Sequence, residues 1–182
     1  MAPKTLDDHT MKIRQADRAD DLAIAQVSVA AWRKAYRGII DDETLDRLDV
    51  SNRARRRSSR LNEPEWPWFV AVVDSRVVGF VRIEEARESD TQDKRVGEVG
   101  AIYVDPVVWG QGCGRALLSR ALDALVDKGF SEVLLWVFEA NNPARSFYEK
   151  NGFTLDRGRK IHPVLGLTEV RYRKQCVSGE FV

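Results

Sequence analysis

An apolar run, Val99 to Val104, meets Asp105-Pro106 and then three alternating glycines, Gly110, Gly112 and Gly114, before an amphipathic segment begins. Alternating glycines leave backbone N–H groups uncovered by Cβ atoms, and a helix start adds its positive end. Strand, glycine turn and helix N-terminus together form a phosphate-binding geometry. Two common versions do not fit. A P-loop ends in Gly-Lys-Ser/Thr, with the lysine on the phosphates and the hydroxyl on magnesium; here Gly114 is followed by Arg115-Ala116. A dinucleotide fingerprint reads G-x-G-x-x-G near the start of a βαβ unit; here the order is G-x-G-x-G, deep in the chain, with only one further βα pair to follow. A phosphate site without a metal-ligand hydroxyl suits a cofactor whose diphosphate is only a handle.

Further on, an apolar strand over 131–138 leads into Asn141-Asn-Pro-Ala-Arg-Ser-Phe-Tyr148-Glu-Lys-Asn-Gly-Phe153. With this second motif the chain resembles the GNAT superfamily of acyl-CoA-dependent N-acyltransferases. The family's turn is written [Q/R]-x-x-G-x-[G/A], and its glycine pair falls on Gly112 and Gly114. Its second motif, N-x-x-A-x-x-x-Y-x-x-x-G-F, falls on Asn141, Ala144, Tyr148, Gly152 and Phe153 without a gap. The resemblance is specific over residues 98–158 and looser over 11–175. One position departs: Trp109 stands where the family has Gln or Arg.

The rest of the chain sets the frame. At 182 residues it fits one domain that can bury a substantial core. A net charge of +1 supplies no bulk field for nucleic acid or an anionic membrane. No apolar run approaches the ~18 residues that span a bilayer. Residues 1–10 read as a loose polar extension without a signal-peptide pattern, 11–176 as one domain and 177–182 as a tail. Two cysteines, Cys113 and Cys176, make no disulfide framework, so cytoplasm is the expected location.

Lys12 to Gln15 reads as a first strand and Asp20 as the N-cap of a helix carrying Leu22, Ala25, Val29, Trp32 and Tyr36 on one stripe. Gly38 ends that helix. Asp41-Asp-Glu43 opens a second, and residues 50–61 continue as a basic helical stretch that Pro64 and Pro67 break. Strands follow at 69–73 and 77–83, joined by a tight turn at Asp74-Ser75-Arg76. Residues 85–95 read as a polar hairpin loop, 98–104 as a central strand and 113–128 as a helix closed by Gly129. A strand at 131–138, a helix at 142–150 and strands near 153–158 and 168–175 complete the chain. The pattern predicts an α/β (α+β) fold: a central mixed, mostly antiparallel sheet of six to seven strands flanked by about four helices. That is also the GNAT order.

The resemblance implies acetyl-CoA as cosubstrate and no metal. Backbone amides of Gly110, Gln111, Gly112, Cys113, Gly114 and Arg115 would face its diphosphate. Backbone groups of Ile102, Tyr103 and Val104 would pair with the pantetheine arm and polarise the thioester carbonyl, as an oxyanion hole does. Tyr148 sits at the position of the family's general acid, which protonates the CoA thiolate. Asn141 would bond the pantetheine or, equally, serve as an ordinary N-cap. Glu98 falls where histone-acetylating members carry a general base, with Glu84 on the preceding strand in reserve; a strand-edge glutamate is the plain alternative. Trp32, Tyr36 and the segment Arg37–Asp42 are acceptor-pocket candidates, against a plain helix-core reading. His162 falls in the final hairpin, where a structural or exposed role is the default.

Five arginines at 53, 55, 56, 57 and 60 invite a nucleic-acid reading, but no aromatics interleave them, and a solvated helix face is the better expectation. Cys113 lies inside the turn without a base near it in sequence and reads as packing. The function expected is acetyl transfer to a primary amine of a small molecule. A protein or peptide N-acetyltransferase and a non-catalytic acyl-CoA-binding module are the alternatives, and a homodimer is left open.

Overall fold

The computed structural model describes residues 11–57, 65–87 and 96–176. The terminal extension and tail, Arg60, Pro64 and most of the 85–95 loop lie outside them. A seven-stranded sheet runs in the order β1-β2-β3-β4-β5-β7-β6. Its strands are β1 (Lys12–Gln15), β2 (Trp68–Val73), β3 (Arg76–Glu85), β4 (Val96–Val104), β5 (Glu132–Phe138), β6 (Thr154–Ile161) and β7 (Thr168–Gln175). Only β4 and β5 run parallel. The helices are α1 (Asp21–Ala35), α2 (Asp42–Asp46), α3 (Val50–Arg57), α4 (Cys113–Asp127) and α5 (Asn142–Lys150). Five replace the expected four because the acidic and the basic stretches after Gly38 fold as two separate short helices.

The sheet is covered on both faces, so its central strands are apolar on both sides. Ile24 and Val27 of α1 pack on Trp68, Val70, Val77 and Phe80. Leu117, Leu118, Ala121 and Leu125 of α4 pack on the opposite face, against Phe69, Ala71, Val81 and Val133. The β2–β3 turn is as tight as expected: Asp74 and Ser75 both have positive φ, 48° and 64°. Paired left-handed residues match the twist of the strands they join. Asp20 occupies the N-cap position of α1 as expected, but without a side-chain capping bond. Its carboxylate takes two bonds from Arg14, at 2.6 and 2.7 Å, and one from the Asp17 amide at 2.9 Å. Asp17 caps the short 3-10 turn before α1, its carboxylate accepting from Ala19 N–H at 2.7 Å.

Two irregularities shape the centre. Arg82 pairs with Ala101 and Ile83 with Val99, which leaves Gly100 as an extra residue in β4. A Cβ at Gly100 would overlap the Arg82 guanidinium and the Glu84 carboxylate, so a side chain there would displace that ion pair. A bulge bends its strand and increases local twist. Past that point β4 leaves β5. The two strands pair only at Val96–Glu98 against Glu132–Leu134. Beyond it, β4 stays with β3 as far as Val104, and β5 stays with β7 as far as Phe138. A wedge opens between them.

Candidate active site

The wedge holds a cleft of about 880 Å³. At one end lies the glycine turn. Gly110 and Gly112 have φ of 77° and 83°, where an L side chain is strained, and a Cβ on either would meet nothing within 4 Å. The backbone there is bare and faces open space. Gly112 is the N-cap of α4, so the amides of Cys113, Gly114 and Arg115 have no acceptor inside the helix. Gly114 serves a different purpose. A Cβ there would touch the Phe147 ring at 3.4 and 3.5 Å, so this glycine lets α4 and α5 approach.

The turn is fixed from below. The Asp105 carboxylate accepts from Val107 N–H at 3.1 Å and pairs with Arg76. The Trp109 indole N–H donates to the Val104 carbonyl at 2.8 Å. The departing residue of the family pattern thus ties the turn to the end of β4. It also occupies one of the strand carbonyls expected to meet a ligand.

Of the residues singled out from sequence, Glu98, Ile102, Tyr103 and Val104 line the cleft from β4. Gly110, Gly112, Gly114 and Arg115 line it from the turn, and Asn141 and Tyr148 from the start and the inner face of α5. Trp32 and Tyr36 reach it from α1. Gln111, Cys113 and Glu84 do not line it. Gln111 folds back onto the Val107 carbonyl, at 3.2 Å. The Cys113 side chain turns into the core, where burial pushes its thiol up to about 11 and leaves it a packing group. The Glu84 carboxylate is held by Arg82, at 2.6 Å, on the strand directly across from Glu98. Of the two glutamates, only Glu98 faces the cleft. The segment 37–42 does not reach it either. Arg37 pairs outward with Asp42 at 2.9 Å, and Ile40 packs with Tyr36, Leu45 and Phe138 in a small separate core.

Three phenols meet in the cleft. Tyr148 is 8% exposed, with its ring against Phe147, Phe153 and Tyr172. Burial, and secondarily Tyr103, raise its pKa well above the ordinary phenol value, so it keeps its proton throughout the neutral range. Tyr36 is raised as well, first by burial and then by Tyr103, with Asn141 acting in the opposite direction. The Asn141 side-chain oxygen accepts from Ala144 N–H at 3.3 Å and so caps α5.

Sequence reading missed the Tyr103 side chain and the far wall. Tyr103 was singled out for its backbone only, although alternation with Ala101 puts its ring on the α1 side, beside Phe80 and Trp32. Lys160 and Glu169 line the cleft from the last hairpin, and Lys160 Nζ sits 3.9 Å from the Trp136 ring centroid. His162 lines it too, but its Nδ1 accepts from Leu165 N–H at 3.2 Å and ties the hairpin loop. Among the described residues no group of His, Cys, Asp and Glu side chains could hold a metal ion, and no helix is long and apolar enough to cross a membrane.

Residues 28–153 match the family model described as Acetyltransferase (GNAT) family. The chain is 33% identical over 138 residues to an uncharacterized N-acetyltransferase of Archaeoglobus fulgidus, covering 76% of this chain and 89% of that one. It is 35% identical over 127 residues to the mycothiol acetyltransferase of Thermobifida fusca, but spans only 39% of that protein against 68% of its own length. Among solved structures it superposes on the paia N-acetyltransferase of Thermoplasma acidophilum, determined in complex with coenzyme A. The TM-score is 0.67 at 22% identity, covering 91% of this chain and 99% of that one. The chain belongs to the GNAT acetyltransferase family.

Proposed function

We propose that this protein moves the acetyl group of acetyl-CoA directly onto the primary amine of a small molecule. The observation that carries the reading is the wedge between β4 and β5, with bare glycine backbone at its end and the protonated Tyr148 in its wall. A cleft of about 880 Å³ has room for a pantetheine arm and a small acceptor. The acceptor class also draws support from the mycothiol acetyltransferase likeness. Two free, buried cysteines favour the cytoplasm.

The residues fit the cosubstrate. A diphosphate needs close backbone approach, and Gly110 and Gly112 leave that space clear. When bound, acetyl-CoA supplies the thioester and the acetyl group. The amides from Gly110 to Arg115 hold the diphosphate, backed by the α4 N-terminus. The β4 edge around Ile102 and Tyr103 holds the pantetheine and directs N–H groups at the thioester oxygen. Glu98 accepts the proton that the attacking amine loses. Tyr148 gives its hydroxyl proton to the departing sulfur; Glu98 then releases the amine's proton and Tyr148 regains one by exchange through water, which closes the proton balance. A phenol raised by burial is a reluctant acid, but a thiolate in the same dry wall is an equally strained base.

Release of free CoA, measured against a panel of amines, amino acids, polyamines, aminoglycosides and peptides, tests the reading. Tyr148→Phe is expected to cut turnover roughly 10²- to 10³-fold, in the range of a lost general acid, while CoA affinity stays put. Turnover equal to the parent protein's would remove Tyr148 from the mechanism. CoA release with peptides alone would move the acceptor to proteins.

A further inference from the structure

The run of arginines after residue 50 reads from sequence as a solvated helix face. Arg53 departs from that reading. Its guanidinium carbon lies 4.4 Å from the centroid of the Trp32 ring, and Trp32 is a wall of the cleft. One of its nitrogens donates to the Ser28 hydroxyl of α1 at 2.8 Å. Ser28 is fully buried, so the head group is anchored against α1 and not extended into solvent. Arg14, Arg37, Arg76, Arg82, Arg159 and Arg173 each pair with an acid. Arg53 faces no carboxylate among the described residues. Burial lowers its pKa, and the opposing influences come from two phenols, Tyr103 and Tyr36. Both phenols line the cleft.

A second donor points the same way. The indole N–H of Trp32 is buried and finds no acceptor among the described residues. Unpaired donors of this kind are costly in a protein interior. A guanidinium carries five N–H donors in a fixed fork that suits carboxylate and phosphoryl oxygens. Among the described residues this fork spends one donor on Ser28, which leaves a partly desolvated cation with donors to offer an anion. Glu98 lines the same cleft from β4 with the opposite charge.

We infer that Arg53 recognises an acidic group on the acceptor, which is therefore an amine that also carries a carboxylate or a phosphoryl group. The inference rests on the acetyltransferase reading and names its substrate class. In it the amine end of the acceptor lies toward Glu98 and the thioester. The acid end lies toward Arg53, whose guanidinium packs on the Trp32 wall of the cleft. A polyamine brings a second cation to this position and is disfavoured.

Matched acceptor pairs separate the outcomes: an α-amino acid against its methylamide, and phosphoethanolamine against ethanolamine, with spermidine as the cationic control. The parent protein should use at least one acidic member roughly tenfold or more better, by kcat/KM, than its neutral twin. Arg53→Gln should erase that preference, chiefly through KM, and Arg53→Lys should keep part of it. Whichever pair shows the larger gap identifies carboxylate or phosphoryl. An independent readout is the rise in melting temperature with the N-acetylated acidic product, present in the parent protein and lost in Arg53→Gln. Calorimetry with CoA verifies that the variant is folded. Robust turnover of neutral or cationic amines with no acid preference overturns the inference and leaves the acetyltransferase reading standing. An Arg53→Gln variant that keeps the acid preference overturns it too. Failure of every amine, with CoA still bound, overturns both.

Discussion

The wall of the cleft at the glycine turn is made of backbone, while the wall on the α1 side is made of side chains. At the turn, Gly110 and Gly112 present bare peptide to open space, and the exposed edge of β4 continues it. Opposite, Trp32, Tyr36, Lys160, His162 and Glu169 arrive from a helix and a distant hairpin, and Arg53 stands behind Trp32. The difference teaches what each wall can be asked to do. Backbone recognition serves a group that every member of the family shares, because it tolerates almost any side chain around it. Side-chain recognition can be rewritten one residue at a time, so acceptor choice is expected to lie there.

Gly112→Val would break the comparison most sharply. A β-branched residue at a φ of 83° is strained, and its side chain fills the space before the turn. Loss of CoA affinity by about 100-fold or more is expected by calorimetry; unchanged affinity would mean that the turn is not the phosphate cradle. Gly114→Val is the contrasting variant. Its Cβ meets Phe147, so it should lower the melting temperature at least as much as it weakens CoA.

Glu98→Gln should leave CoA affinity unchanged and lower kcat by about tenfold or more, with loss of the acidic limb of the pH–rate profile. An unaltered profile would assign proton removal to water and return Glu98 to the role of a strand-edge residue.

The smallest effect concerns the phenols that join the two walls. Tyr36 and Tyr148 have folded-state pKa values raised above the ordinary 10.0, chiefly by burial. Below that value both folded and unfolded chains hold the protons, and the stability is intact. Above it the unfolded chain releases them first, so stability falls as pH rises from about 10 toward the folded-state values. Melting temperatures from pH 9 to 11.5 should show this fall, and Tyr148→Phe should make it shallower. An identical slope would mean that Tyr148 is not desolvated in solution.

The same division explains what was legible in the sequence. Glycine spacing and the Asn141–Phe153 pattern report local backbone geometry, so the turn, α4, α5 and the sheet were readable to within a few residues. Tyr148 came with them. Of the opposite wall, Trp32 and Tyr36 were readable from the helical stripe, whereas Lys160 and Glu169 were not, because nothing local marks them. Arg53 has the surroundings of any basic helix until α3 folds onto α1, and only then does one arginine of the run find Trp32 and Ser28. Glu84 and Glu98 look alike in sequence; the Arg82 guanidinium, held two residues before Glu84 on the same strand, separates them. The segment 37–42 failed for the opposite reason. Arg37 pairs outward with Asp42, and Ile40 packs behind the cleft wall, against Tyr36 and Phe138.

The short ladder between β4 and β5 has one more consequence. Four strands lie on one side of it and three on the other, and each group is continuously bonded within itself. The sheet is thus two plates whose strands are bonded to one another only along a three-residue seam. A molecule seated in the gap touches both plates at once. Whatever fills that gap meets residues from both halves of the sheet, with α4 packed across the two from one side.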